Sequence, residues 1–141
     1  MQDLVVDTHI VFKALAGRVE KYKLFLETIK EKCDRIVITN DIKKEYRSRA
    51  STYGMTLVII MQRLEKLGYR GKKKIRKVSA SIEIKKYNFK VLKDEKDLKF
   101  IEAAIASKAS YLVTEDSHLL ELKVIKHKSG ECKIIKPEDY L

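Results

Sequence analysis

The stretch LVVDTHI, residues 4–10, places an ionisable aspartate directly after a short apolar run. Leu4, Val5 and Val6 are typical of a short buried strand, because β-branched residues pack well on a pleated surface. Asp7 would then lie where the chain leaves the core. A charge at that position calls for an explanation, and the rest of the sequence supplies candidates for one.

Apolar runs that predict strands alternate with segments that predict helices. The predicted strands cover residues 4–6, 35–39, 89–92 and 111–114. Residues 123–127 and 133–135 could form an edge hairpin, or only the second run could be a strand. The predicted helices cover residues 10–16, 19–32, a segment ending at residue 50 with Asn40 or Asp41 as its N-cap, 52–67, 78–86, 94–108 and 117–122. This alternation predicts a three-layer α/β/α fold with a central, mostly parallel sheet of about five strands.

The size and composition limit the class of protein. A chain of 141 residues suits a single domain, which we expect to cover residues 1–141. No apolar run approaches the roughly 20 residues of a membrane span, and the N-terminus lacks the layout of a signal peptide, so we expect a cytoplasmic protein without membrane association. Cys33 and Cys132 lie far apart without a CxxC pattern, which argues against a metal finger or a disulfide framework.

The charge balance indicates a polyanionic partner. The chain has 31 Lys and Arg against 20 Asp and Glu, a net charge of +11, which would attract nucleic acid in a manner weakened by salt. A merely solvated lysine-rich surface is the alternative. The densest basic stretch is RGKKKIRK, residues 70–77, which is a candidate RNA contact or, alternatively, a solvated helix start. Its cations are Arg70, Lys72, Lys73, Lys74, Arg76 and Lys77.

Four acids follow predicted strands and would lie near one edge of the sheet: Asp7, Glu45, Asp97 and Asp116. In an open parallel sheet the functional crevice lies beyond the carboxyl ends of the strands. Converging carboxylates raise one another's pKa unless a cation neutralises them, and their oxygens suit Mg²⁺ or Mn²⁺. The alternatives are structural, since an aspartate stabilises the start of a helix and Glu45 can pair with Arg49 at i+4.

Several segments together resemble the PIN domain, a family of metal-dependent nucleases that includes the toxins of many prokaryotic toxin–antitoxin pairs. The matching segments are VVDTHI at 5–10, ITNDIKKEYRSR at 38–49, DEKDLKFIEAAIASKASYLVTEDSHLL at 94–120 and KIIKPEDYL at 133–141. Residues from about 50 to 90 contribute no motif. The resemblance therefore covers most of the chain in the expected order.

The resemblance implies an active site and a reaction. Asp7, Glu45, Asp97 and Asp116 would form an acidic pocket for one or two Mg²⁺ or Mn²⁺ ions, with Asp7, Asp97 and Asp116 as the metal ligands. Thr8 and Thr114 would support its rim, and Glu102 would be an outer member. The implied reaction is metal-assisted hydrolysis of RNA phosphodiester bonds. A non-catalytic RNA-binding subunit of a processing assembly and a structure-specific DNA nuclease are the alternatives.

Three residues depart from the family pattern. His9 stands where Asn or Ser is common, Glu115 where a small or neutral residue is common, and His118 where a second aspartate often appears. His118 would favour Mn²⁺ over Mg²⁺ if it faced the pocket, and it would have no such effect if it faced water. Its position therefore bears on the choice of metal.

The predicted helix 52–67 is apolar on nearly all sides, which requires more than one neighbour. With Met55 and Met61 able to repack, it would suit a homodimer interface or a groove for an antitoxin protein. Burial among the domain's own helices is the alternative.

Overall fold

The computed structural model describes residues 2–66, 75–78, 97–127 and 130–141. Within these ranges the strands are β1 (Asp3–Val6), β2 (Arg35–Thr39), β3 (Ile75–Val78), β4 (Tyr111–Val113), β5 (Val124–His127) and β6 (Gly130–Ile135). The helices are α1 (Thr8–Ala16), α2 (Glu20–Lys32), α3 (Asn40–Arg49), α4 (Leu57–Glu65), α5 (Leu98–Ser107), α6 (Ser117–Leu122) and α7 (Pro137–Tyr140).

The strands form one sheet in the order β3-β2-β1-β4-β6-β5. All neighbouring pairs are parallel except β5 and β6, which form an antiparallel hairpin at one edge. The predicted α/β fold with a mostly parallel sheet between helices is confirmed, and both strands of the predicted hairpin are present. In the sheet, β2 lies on one side of β1 and β4 lies on the other. The direction in which the chain adds strands therefore reverses between β1 and β4, and this is the topological switch point.

The first strand is at the centre of the core. Leu4, Val5 and Val6 are almost completely buried, as expected for a strand covered by helices on both faces. Helix α5 packs against β1, β2 and β4, while α1 packs against α2. The carboxyl ends of β1 and β4 are held side by side, with Val6 paired to Val113. Residues that directly follow these two strands are therefore neighbours.

The predicted N-cap of α3 is wrong. Helix α3 begins at Asn40, and Thr39, the last residue of β2, is its N-cap. The Thr39 hydroxyl oxygen accepts a hydrogen bond of 3.2 Å from the backbone N–H of Ile42. Because the strand runs directly into the helix, the capping residue is still part of the buried apolar run.

The prediction of one helix over residues 52–67 is also wrong. A 3₁₀ turn over Ala50–Tyr53 ends at Gly54, whose φ of +64° lies in the left-handed region that glycine adopts without strain. Thr56 then caps α4 by accepting a hydrogen bond from the N–H of Ile59. Within α4, Ile60 and Leu64 are buried, whereas Val58 is 63% exposed.

Three other predicted elements lie partly or wholly outside the described residues. The helix predicted over 78–86 is wrong at its first residue, because Val78 ends strand β3, and residues 79–86 lie outside the described residues. The predicted strand 89–92 and residues 94–96 of the predicted helix 94–108 also lie outside them. Both cysteines are free thiols. None of the helices in the described ranges has the length and hydrophobicity needed to cross a bilayer.

A hydrogen-bonded network fixes the C-terminal helix to the beginning of β2. The Tyr140 hydroxyl donates a 2.5 Å hydrogen bond to Oδ2 of Asp34, a residue only 3% exposed. The other oxygen of Asp34 accepts from the backbone N–H of Gln2. Lys32 donates to the carbonyl of Tyr140 and lies over its ring at 4.2 Å. Both ends of the described chain thus meet at one buried carboxylate.

We expect Tyr140→Phe to lower the free energy of unfolding by about 1–3 kcal/mol, because it removes a donor from a buried carboxylate while keeping the ring. Urea denaturation measures this loss. Tyr111→Phe is the matched control, since its ring lies 6.4 Å from that of Tyr140 in the same cluster. An equal effect of the two substitutions would contradict a specific role for the bond to Asp34.

Candidate active site

Asp7 follows β1 directly and is held at the switch point by both of its carboxylate oxygens. Its backbone N–H donates to the carbonyl of Val113, which continues the pairing of β1 with β4. Oδ1 accepts a 3.2 Å hydrogen bond from the N–H of His9 and so caps α1. Oδ2 accepts a 2.8 Å hydrogen bond from the hydroxyl of Thr114. The side chain is only 7% exposed.

Burial raises the pKa of Asp7 above its ordinary value. The hydrogen bonds from Thr114 and His9 act in the opposite direction, and the charge of Glu45 adds to the increase. The ionised carboxylate is therefore only partly compensated by its surroundings. A cation bound beside Asp7 would stabilise the ionised form.

Asp116 reaches the same place from the end of β4. Its backbone N–H donates to Thr114 Oγ1 at 3.0 Å, so the Thr114 hydroxyl links Asp7 to Asp116. The Asp116 carboxylate caps α6 by accepting from the N–H groups of His118 and Leu119, which confirms its helix-capping role. Asp7 and Asp116 line one pocket of about 230 Å³. Its remaining lining residues are His9, Ile10, Lys13 and Glu115.

Glu45 belongs to a neighbouring group on α3. Thr8 donates a 2.8 Å hydrogen bond to Oε2 of Glu45, and this contact joins the glutamate to the residue after Asp7. The predicted i+4 pair with Arg49 is present at 3.4 Å. Lys99 of α5 lies 3.1 Å from Oε2. Sequence reasoning missed Lys99, because no sequence pattern relates two helices that only the sheet brings together.

A larger pocket of about 860 Å³ contains Glu45 together with Glu102 and Asp41. Burial and the nearby charge of Asp41 raise the pKa of Glu102. Asp97 is the N-cap residue of α5 and is buried, but it lines neither this pocket nor the one between Asp7 and Asp116. The structure therefore brings Asp7 and Asp116 together and places Glu45 beside them, while Asp97 does not line their pocket.

The pocket fits a divalent cation that keeps several water ligands. Among the described residues, no three His, Cys, Asp or Glu side chains are close enough to form a ligand group. Mg²⁺ usually keeps several waters and is bound through one or two carboxylates. Asp7 and Asp116 supply that number of hard oxygen donors in one pocket. The donor atoms of this pocket therefore suit a hydrated Mg²⁺ or Mn²⁺.

The residues that depart from the family pattern have distinct positions. Glu115 accepts hydrogen bonds from the Tyr22 hydroxyl at 2.6 Å and from Lys21 at 3.1 Å, with Lys13 3.8 Å away. Burial acts to raise the pKa of Glu115, but these partners outweigh it and the pKa is lowered. His9 lines the pocket, whereas His118 is exposed and does not line it.

The basic stretch lies mostly beyond what the structure describes. Arg70, Lys72, Lys73 and Lys74 are outside the described residues. Arg76 and Lys77 belong to β3, an edge strand that β2 separates from β1. The alternative of a helix start is therefore wrong for residues 75–77, which belong to strand β3.

Residues 3–118 match the PIN domain. The chain belongs to the PIN domain family. This is a nuclease family whose members generally use divalent metal ions. No curated protein sequence matches the chain. Among solved structures, it is similar to a chain in the crystal structure of VapBC2 from Rickettsia felis bound to a DNA fragment from their promoter, with 16% identity and a TM-score of 0.59. The similarity covers 94% of this chain and 98% of the other, and it shows a shared fold.

We expect Asp7→Asn to change how stability depends on pH. A carboxyl whose pKa is higher in the folded than in the unfolded state contributes stability at low pH, and that contribution is lost as the pH rises through the folded value. The stability of the variant relative to the wild type should therefore increase as the pH rises from about 4 towards 7. Urea denaturation at several pH values measures the difference.

Glu131→Gln is the matched control for this experiment, because it neutralises an exposed carboxylate on β6. Its stability relative to the wild type should show little change over the same range. A constant difference between Asp7→Asn and the wild type at all pH values would contradict the raised pKa of Asp7.

Proposed function

We propose that this chain is a metal-dependent ribonuclease and that residues 1–141 act as a single PIN-like nuclease domain. The observation that carries the proposal is the meeting of Asp7 and Asp116 in one pocket at the switch point of the sheet. Membership of a nuclease family supports the reaction class. The net charge of +11 supports a nucleic acid as substrate.

In this proposal, Asp7 and Asp116 hold Mg²⁺ or Mn²⁺. The bound cation would lower the pKa of a water and offset charge on the phosphate. Thr114 ties the carboxylate of Asp7 to the backbone of Asp116, because its hydroxyl donates to the first and accepts from the N–H of the second. Burial of Asp7 beside Thr114 restricts bulk water on the sheet side of the pocket.

The other proposed site residues act from the surrounding helices. Glu45 is a candidate outer carboxylate, positioned by the hydroxyl of Thr8. Asp97 stays a proposed ligand, and Glu102 a proposed outer member, on the basis of the family resemblance. The exposed position of His118 supports metal binding through oxygen donors rather than imidazole.

We further propose that the chain is the toxin component of a toxin–antitoxin pair, with an antitoxin protein as its partner. The similarity in fold to a chain of the VapBC2 structure, which was crystallised with a DNA fragment from the promoter, supports this role. Val58 and Ile59 of α4 are exposed at 63% and 37%, and such apolar side chains on one helix suit contact with an antitoxin or with a second copy of the chain.

A non-catalytic RNA-binding role is the second candidate, and the contacts of the acids are compatible with it. Asp116 caps α6 and Glu45 is paired with both Arg49 and Lys99. These are structural roles that a chain without activity would retain. The two candidates differ in whether RNA is cleaved once it is bound.

We expect the wild type to cleave labelled RNA with Mg²⁺ or Mn²⁺ and not with chelator. Asp7→Asn and Asp116→Asn should each lower the rate about 100-fold or more, because loss of even an outer partner of a metal site commonly lowers activity by 10–100-fold. Gel analysis of a time course measures the rate. Glu131→Gln controls for the loss of one negative charge on an exposed strand position.

The result that would contradict this proposal is RNA binding without cleavage under either metal, which would favour the non-catalytic role. Equal loss of activity in Glu131→Gln would also contradict it, because the effect would then not depend on the pocket.

We expect Mn²⁺ to raise the melting temperature of the wild type and to leave that of Asp7→Asn unchanged. A ligand that binds only the folded state stabilises it by about 2.7 kcal/mol at a concentration 100 times its Kd. Differential scanning fluorimetry with and without chelator measures the shift independently of any RNA. A shift of the same size in Asp7→Asn would show that the cation binds elsewhere.

A further inference from the structure

A cleft of about 750 Å³ adjoins the pocket between Asp7 and Asp116. Lys13 lines both of them, and Thr52 lines both the cleft and the larger pocket that contains Glu45. The three cavities are therefore neighbours along the surface.

One wall of the cleft carries the cations Lys13, Arg18 and Lys21. The ammonium groups of Lys13 and Lys21 lie over the ring of Tyr22 at 5.1 and 4.9 Å from its centroid. Glu115 contacts both lysines. Glu138 also lies 3.5 Å from Lys21. These contacts hold the two lysines in place and offset part of their charge, while Arg18 is exposed at the rim of the cleft.

The lining of the cleft also contains a half-buried aromatic ring, Tyr53. The ring packs edge-on against Phe12 with centroids 4.9 Å apart, which fixes its orientation. Gly54 follows it in the left-handed conformation, and among the described atoms nothing lies within 4 Å of the position that a Cβ would occupy there. The space beside the Gly54 backbone, next to Tyr53 in the chain, is therefore not filled by other described atoms.

Cations and an aromatic ring that line the same cleft are the two elements with which proteins bind single-stranded nucleic acid. The cations contact phosphates, and the ring stacks on an unpaired base. The Tyr22 ring already has both lysines over it, so Tyr53 is the better placed of the two tyrosines in the cleft for stacking.

We propose that this cleft binds one nucleotide of a single-stranded RNA adjacent to the cleavage site. Arg18, Lys21 and Lys13 contact its phosphates, and its base stacks on Tyr53. The placement of this nucleotide next to the scissile bond rests on the proposed nuclease function, but its binding does not require cleavage. Lys13 links the two events, because it lies at the boundary between the cleft and the acidic pocket.

The test is the affinity of the full chain for a fluorescein-labelled single-stranded RNA of eight nucleotides, measured by anisotropy in chelator so that no cleavage occurs. Tyr53→Leu should weaken binding about tenfold, because it removes the stacking surface. Tyr53→Phe keeps the ring and should bind like the wild type. A blunt RNA duplex of the same sequence should be insensitive to Tyr53→Leu, because its bases are already stacked.

A second variant tests the phosphate contact without touching the core. Arg18→Gln should weaken binding and reduce the salt dependence of log K by about 0.7, the value for one phosphate contact on a single strand. Lys23→Gln removes one charge from an exposed position of α2 outside the cleft. It should leave the salt dependence close to that of the wild type.

Two results would overturn the proposal. One is equal weakening of single-stranded and duplex RNA by Tyr53→Leu, and the other is identical behaviour of Arg18→Gln and Lys23→Gln. The nuclease proposal fails separately, if the wild type binds in this Tyr53-dependent manner and cleaves nothing with Mg²⁺ or Mn²⁺. If the wild type cleaves RNA and the Tyr53 and Arg18 variants bind it unchanged, the proposal for the cleft is contradicted and the nuclease proposal is supported.

Discussion

The hydroxyl of Thr114 makes the interaction on which the functional end of the sheet depends. It donates to the buried carboxylate of Asp7 and accepts from the backbone of Asp116, so one oxygen joins the ends of β1 and β4. A buried carboxylate is unfavourable unless hydrogen bonds stabilise it. Thr114 and the N–H of His9 supply them, and the acid is thereby kept at the centre of the molecule.

The charges around this point follow a consistent pattern. Asp7 and Asp116 each stand at the start of a helix, α1 and α6, where free N–H groups favour a negative charge. Two nearby glutamates are matched by cations from another element: Lys99 pairs with Glu45 and Lys21 with Glu115. Carboxylates can bind a divalent cation and nearby lysines can bind phosphates. The site therefore suits a ligand that carries both.

Much of the fold could be predicted from local patterns. Leu4–Val6 and residues 35–39 are compact apolar runs, and both are strands of the parallel sheet. The break at Gly54 was missed, because the apolar residues on both sides of it continue a helical period. Within the site, the sequence identified Asp7 and Asp116 by their position after strands. It could not identify Lys99, whose relation to Glu45 depends on how two helices pack.

The sequence by itself determined which residues end the buried strands and therefore which polar groups lie at the edge of the sheet. That information is local, since apolar runs and the residue after each run are adjacent in the chain. Only the tertiary structure decided which of these groups meet. It joined Asp7 to Asp116 through Thr114, placed Asp97 outside their pocket, and formed the cleft between Tyr53 and Arg18. Strand order and helix packing set these distances, and both arise from contacts between residues far apart in the chain.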